Sequence, residues 1–245
     1  TSAPSVNLWN MSGQSVDFPG AVSDPAHAYN YTPASRTAQN IRWAVIHTTE
    51  DANGSDCTAT RNYFRGSNDS NSTSTSHLGV SAHYVICRDG SIFQMVRDRD
   101  VAHHAGNFLY NENSIGIEHE RHDTSNWTEA QFQTSVALVK WLATQYNIQI
   151  VFPGGVAPSN PASGTGIIGH DQVPDPNNST IGGGISHKPD PVNWDWAHYQ
   201  QLFTEQVDTT PPGISTFSVS PSASTLGQAF TINYMVSDSG GSGLN

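Results

Sequence analysis

Lysine is almost missing from this chain of 245 residues: Lys140 and Lys188 are the only two. With the arginines they make 10 basic residues against 21 acidic ones, a formal charge of −11. Binding phosphates takes a basic stripe, and resting on an anionic membrane takes a basic amphipathic helix, so neither nucleic acid nor a membrane surface is an expected partner. The sequence has no apolar run of about 18 residues, so it offers no membrane-spanning helix. Cysteine is limited to Cys57 and Cys87, a spacing that fits no four-cysteine zinc site and leaves either one disulfide or two buried thiols. There is no G-x-S-x-G elbow and no H-E-x-x-H helix motif, which sets serine hydrolases and metalloproteases of that type low.

Gly (21) and Pro (14) with only 13% charged residues mark a loop-rich globular chain rather than a disordered or helical-repeat one. Histidine stands out, at 11 residues, and raises the question of metal ligation. The start, TSAPSV, reads as what remains after a signal peptide is removed, so a secreted or wall-associated location is expected.

Residues 1–40 read as a polar wrap of short turns. Arg42–His47 (RWAVIH) is a continuous apolar run, the mark of a strand buried on both faces of an α/β sheet, and it stops at a histidine. Asp56 caps a short helix over Thr58–Phe64, and Asn68–Ser76 is a polar loop. Ser81–Met95 reads as a hairpin turning at Arg88-Asp89-Gly90, and Ser114–Glu118 (SIGIE) as a further strand. The clearest helix spans Thr128–Tyr146, with a capping box from Thr128 to Gln131 and an apolar stripe through Phe132, Val136 and Val139. Ile167–His170 is a short strand that again stops at a histidine, Asp171–Lys188 a Gly/Asn/Pro-rich loop, and Trp194–Val207 a second amphipathic helix. Beyond the linker Asp208–Gly213, period-two runs suggest the first strands of an Ig-like module. Two units follow, 1–207 and 208–245.

His47 and His170 at strand ends, followed by Asp190 in a Lys-Pro-Asp-Pro loop, offer two imidazoles and a carboxylate. Such a set can hold a catalytic zinc with one open position. Lone histidines more often serve as hydrogen bonders, so the residues alone leave both readings open.

Several segments in order add to this: WAVIHTTE (Trp43–Glu50), SAHYVICRDG (Ser81–Gly90), HHAG (His103–Gly106), NSIGIE (Asn113–Glu118), GHDQV (Gly169–Val173) and HKPDPVNWDW (His187–Trp196). Together they resemble the zinc-dependent N-acetylmuramoyl-L-alanine amidases of type 2, which share a fold with peptidoglycan recognition proteins. The match covers roughly residues 18 to 207. It implies an α/β fold with a central mixed β-sheet flanked by helices, followed here by a short β-rich tail. It implies zinc ligation by His47, His170 and Asp190, a general base at Glu118, Lys188 near the developing oxyanion, and a substrate contact at His104. Glu118 follows the Ile115/Ile117 alternation, which turns it off the core side. Glu120 is a rival base and His187 a rival ligand, while His83 belongs to the sheet. Some relatives have a Tyr just before that histidine, where this chain has Ala82, and the loop from His170 to Asp190, with three glycines, is longer than the family's compact one.

The expected activity is hydrolysis of the amide between N-acetylmuramic acid and L-alanine in bacterial peptidoglycan by a zinc-loaded monomer. A non-catalytic peptidoglycan-binding module of the same fold is the alternative; such modules typically lose a zinc ligand, and none is lost here.

Overall fold

The computed structural model describes residues 15–51, 57–66, 79–122, 126–204, 213–220, 229 and 231–237. The expected cap Asp56, the loop Asn68–Ser76 and the linker residues 208–212 lie outside these. The chain divides into two compact units, Thr1–Phe203 and Thr204–Asn245.

In chain order the first unit contains β1 (Val22–Ser23), β2 (Tyr31–Thr32), β3 (Trp43–Asp51), α1 (Cys57–Phe64), β4 (Tyr84–Ile86), β5 (Ile92–Gln94) and β6 (Val101–Ala102). There follow α2 (Phe108–Asn113), β7 (Ser114–His122), α3 (Glu129–Tyr146), β8 (Gly166–Gly169), β9 (Pro174–Asp175), β10 (Asn178–Gly182) and α4 (Trp196–Thr204). Six strands form one sheet in the order β1-β5-β4-β7-β3-β8. The pairs β1/β5, β4/β7, β7/β3 and β3/β8 are parallel and β4/β5 is antiparallel, so the sheet is mixed, as the resemblance implied.

Both faces of the central strands are covered, which explains their unbroken apolar runs. Ala44, Ile46, Ile115 and Ile117 pack with Phe132, Val136 and Val139 of α3 and with Tyr199 and Leu202 of α4. On the opposite face Trp43, Val45 and Ile168 pack with Ala105, Tyr110 and Val173. Helix α3 begins at the expected residue: the Thr128 hydroxyl accepts from the Gln131 amide, and Gln131 returns the bond. The hairpin β4–β5 turns at Gly90, whose φ of +84° favours glycine, and Gly90 donates to the Cys87 carbonyl. Cys57 and Cys87 are joined by a disulfide that ties α1 to the end of β4. Closing a loop of that length removes about 3–4 kcal/mol of chain entropy from the unfolded state.

Three expectations need correction. Strand β3 does not stop at His47 but runs to Asp51, because Thr48 and Thr49 continue the pairing with His119 and Glu120 of β7. The segment 171–188 is not a plain loop: β9 and β10 pair antiparallel, with the turn closed by the Asn177 amide donating to Asp175 Oδ1. The short helix α2, capped by the Asn107 side chain at Leu109 and Tyr110, was not foreseen. In the second unit β11 (Gly213–Ser220) and β12 (Thr231–Ser237) form one antiparallel pair.

Asp98 is buried, accepting from the hydroxyls of Tyr84 and Tyr146 at 2.8 Å each. Burial and the neighbouring charge of Asp17 push its pKa up to about 7, against the pull of the tyrosines and Arg36. A carboxyl whose folded value is raised favours folding below its ordinary value and loses that contribution as pH rises through 7. Asp98→Asn, which mimics the protonated acid, should therefore gain on the wild type in melting temperature between pH 4 and pH 8. Thermal scans of both proteins across that range check this; a constant difference would refute the shift.

Candidate active site

Strand periodicity assembles the site. Along β3 the residues Trp43, Val45 and His47 share one face, and along β7 Ser114, Gly116 and Glu118 share the same face, paired one to one: Trp43 with Ser114, Val45 with Gly116, His47 with Glu118. Strand β8 lies on the other side of β3, and its chain turns into a helical turn at His170 immediately after Gly169. Asp190 comes from the loop before α4. That loop is held by the Asp171 amide donating to the Asp190 carbonyl at 2.7 Å, by Arg121 on the Val192 carbonyl at 2.9 Å, and by Trp127 on the Asn193 carbonyl at 3.0 Å.

His47, His170 and Asp190 are all buried and converge. His47 Nδ1 lies 3.2 Å from one Asp190 oxygen and His170 Nδ1 lies 3.1 Å from the other. Burial holds the His47 ring below its ordinary pKa, opposed by Asp190. Burial works against the Asp190 charge as well, but its pairing with the His170 and His47 rings prevails and keeps the carboxyl far below the usual range. A neutral imidazole and an ionised carboxylate are the protonation states a metal needs.

The trio fits zinc on its donor chemistry, two ring nitrogens and one carboxylate. Ligand bonds of about 2.0–2.1 Å put the corners of a tetrahedron about 3.3 Å apart, close to the separations seen. Among the described residues, His170 Nε2 is buried with no hydrogen-bond partner.

The trio lines a cavity of about 560 Å³ together with Glu118, Lys188, His103, His104 and, from α1, Ala59, Thr60 and Tyr63. Glu118 is half-buried and Lys188 exposed on the rim. A carboxylate and an ammonium beside a candidate metal position are the groups that amide hydrolysis requires: one to move a proton, the other to meet a developing oxyanion.

The sequence profile of the Amidase_2 family, described as N-acetylmuramoyl-L-alanine amidase, matches residues 37–192. The chain belongs to this amidase family. It is 32% identical to N-acetylmuramoyl-L-alanine amidase A of Achromobacter lyticus, over 54% of this chain and 67% of that protein. It is 35% identical to 1,6-anhydro-N-acetylmuramyl-L-alanine amidase AmpD of Citrobacter freundii, over 52% of this chain and 59% of that protein. The chain thus spans about three fifths to two thirds of these curated relatives. Its fold resembles the crystal structure of a Se-Met AmpD derivative, with a TM-score of 0.54 and 28% identity, covering 78% of this chain and 100% of that one.

In this amidase the three expected ligands come together, and Glu118 and Lys188 line the same cavity. The rivals are placed elsewhere. Glu120 is buried beside the disulfide and does not line the cavity. His187 stands outside the trio, paired with Asp175 at 2.7 Å. His83 lies just before β4, its Nδ1 accepting from the Gly116 amide of β7. His104, the expected substrate contact, lines the cavity, and its two ring nitrogens face His47 and Ser114. Burial first, then the charges of His47 and His83, hold His104 well below its ordinary pKa.

Sequence reasoning missed Ser114, Gly116 and Asn111. The signal was present: the period of two that turns Glu118 toward the site extends back to Gly116 and Ser114. Asp190→Ala should abolish stoichiometric zinc uptake, while His187→Ala leaves it at the wild-type level. Metal content after dialysis, measured by atomic spectroscopy, checks both; uptake lost with His187 instead would reverse the assignment.

Proposed function

We propose that this protein is a zinc-dependent hydrolase of the amide between the lactyl group of N-acetylmuramic acid and the L-alanine of the stem peptide in bacterial peptidoglycan. The observation that carries this is the convergence of His47, His170 and Asp190 with Glu118 and Lys188 on one cavity. A zinc ion held by the trio supplies Lewis acidity and lowers the pKa of a water toward about 7. Glu118 takes a proton from the attacking water and returns it to the leaving nitrogen as the carbon–nitrogen bond breaks. The Lys188 ammonium donates hydrogen bonds to the tetrahedral oxyanion. The products are a lactyl carboxylate and a free L-alanine amine.

The Cys57–Cys87 disulfide supports a secreted or wall-associated location, since such bonds persist in oxidising compartments. An autolysin and an endolysin both work there.

Purified cell walls incubated with the zinc-loaded protein should yield new L-alanine amino termini, identified by mass, and a chelator should suppress them. Glu118→Gln should retain zinc and lower turnover by about 10²–10⁴, and Lys188→Met by about 10²–10³. Intact stem peptides after incubation with the zinc-loaded wild type would sink the amidase reading in favour of a binding module.

A further inference from the structure

A chain of hydrogen bonds leads from His47 into the body of the protein. His47 Nε2 lies 2.9 Å from His104 Nδ1, His104 Nε2 lies 3.1 Å from Ser114 Oγ, and Ser114 Oγ lies 2.5 Å from the Tyr110 carbonyl oxygen. The direction of every bond follows from the last. A carbonyl only accepts, so the single hydroxyl proton of Ser114 points to Tyr110. The Ser114 oxygen is then an acceptor toward His104, which must carry its proton on Nε2. His104 Nδ1 presents a lone pair, and His47 must donate to it from Nε2. The remaining nitrogen of His47, Nδ1, is the one that faces Asp190.

The rings are seated so that this order holds. Ser114 is fully buried, and the Asn111 side chain accepts from the amides of both His104 and Ala105. The His104 ring occupies the space over Gly116: a Cβ there would stand 2.4 Å from the ring, so only glycine leaves room. Ser114, Gly116 and Glu118 are alternate residues of β7, so the strand that presents the proposed general base also builds the support of a ligand two residues and four residues behind it.

We propose that Ser114 and His104 form a tautomer lock on His47, in which the Tyr110 carbonyl, through these two positioning residues, keeps the His47 proton on Nε2 and offers the Nδ1 lone pair to the metal. The inference rests on the zinc reading above for its purpose, but not for its geometry. Ligating histidines depend on such outer partners for ring orientation and basicity, and losing one typically weakens metal binding by roughly 10–100-fold.

The test reads protons and zinc separately. Long-range proton–nitrogen NMR of the metal-free wild type should show His104 protonated on Nε2 and bare on Nδ1, with a proton on His47 Nε2. A proton on His104 Nδ1, alone or with Nε2, would overturn the lock. Chelator competition should give Ser114→Ala a zinc dissociation constant raised by roughly 10–100-fold. His104→Gln, whose amide keeps an acceptor and a donor, should lose less affinity than His104→Leu. Wild-type affinity in Ser114→Ala, or equal losses in the two His104 variants, would also overturn it. If the wild type takes up no zinc, the zinc reading fails, and the NMR result still decides the lock.

Discussion

The in-register parallel pairing of β3 with β7 is the constraint on which the site depends. It sets Trp43 against Ser114, Val45 against Gly116 and His47 against Glu118. A slip of one residue would turn every one of these side chains to the opposite face, exchanging His47 for Ile46 and Glu118 for Ile117. The register is therefore enforced by the core: Ala44, Ile46, Ile115 and Ile117 must face α3 and α4, and the polar residues between them are delivered to the other side as a consequence. Catalytic geometry here is a by-product of hydrophobic alternation on two strands.

That delivery is expensive, because it takes two imidazoles and a carboxylate out of water. An ion buried without partners costs several kcal/mol, so the arrangement is tolerable only if the carboxylate charge is met. Asp190 is met by two ring nitrogens, and its backbone is fixed through Asp171. The loop that carries it is anchored by Arg121 and Trp127, and Trp194 inserts among Phe132, Tyr199 and Trp127. A ligand on a loop is thereby held almost as firmly as a ligand on a strand, which metal binding with fixed geometry demands.

How much of this was legible follows from the range of each signal. Helix α3 was readable to the residue because its capping box is local, and the β4–β5 hairpin because Asp89-Gly90 is a local turn. The end of β3 was misplaced because Thr48 and Thr49 look polar while their branched side chains suit a strand. The pair β9–β10 was hidden because Gly, Asn and Pro carry a turn signal even where an exposed ladder forms. The ligands lie 143 and 20 residues from Asp190, so no spacing rule joins them. Only the order of several motifs did. Ser114 and Gly116 needed no motif at all, only the same alternation applied two steps further back.

His170 and Asp190 are joined by a long connection, 20 residues from one to the other. A longer flexible loop costs little in closure entropy, growing only with the logarithm of its length, so the greater hazard is a stray ligand. The connection places His187 three residues before Asp190, and the β9–β10 pair answers this by presenting Asp175, whose carboxylate takes His187 Nε2 at 2.7 Å. The glycines complete the arrangement. Gly183 and Gly184 have φ of +88° and +60°, and a Cβ on Gly184 would stand 2.3 Å from the Ala105 carbonyl. The connection can thus lie against the segment that carries His104, with the Ile185 amide donating to the Gly106 carbonyl at 2.9 Å. The connection is tied to the His104 segment on one side and keeps its own histidine occupied on the other, so Asp190 remains shared between His47 and His170.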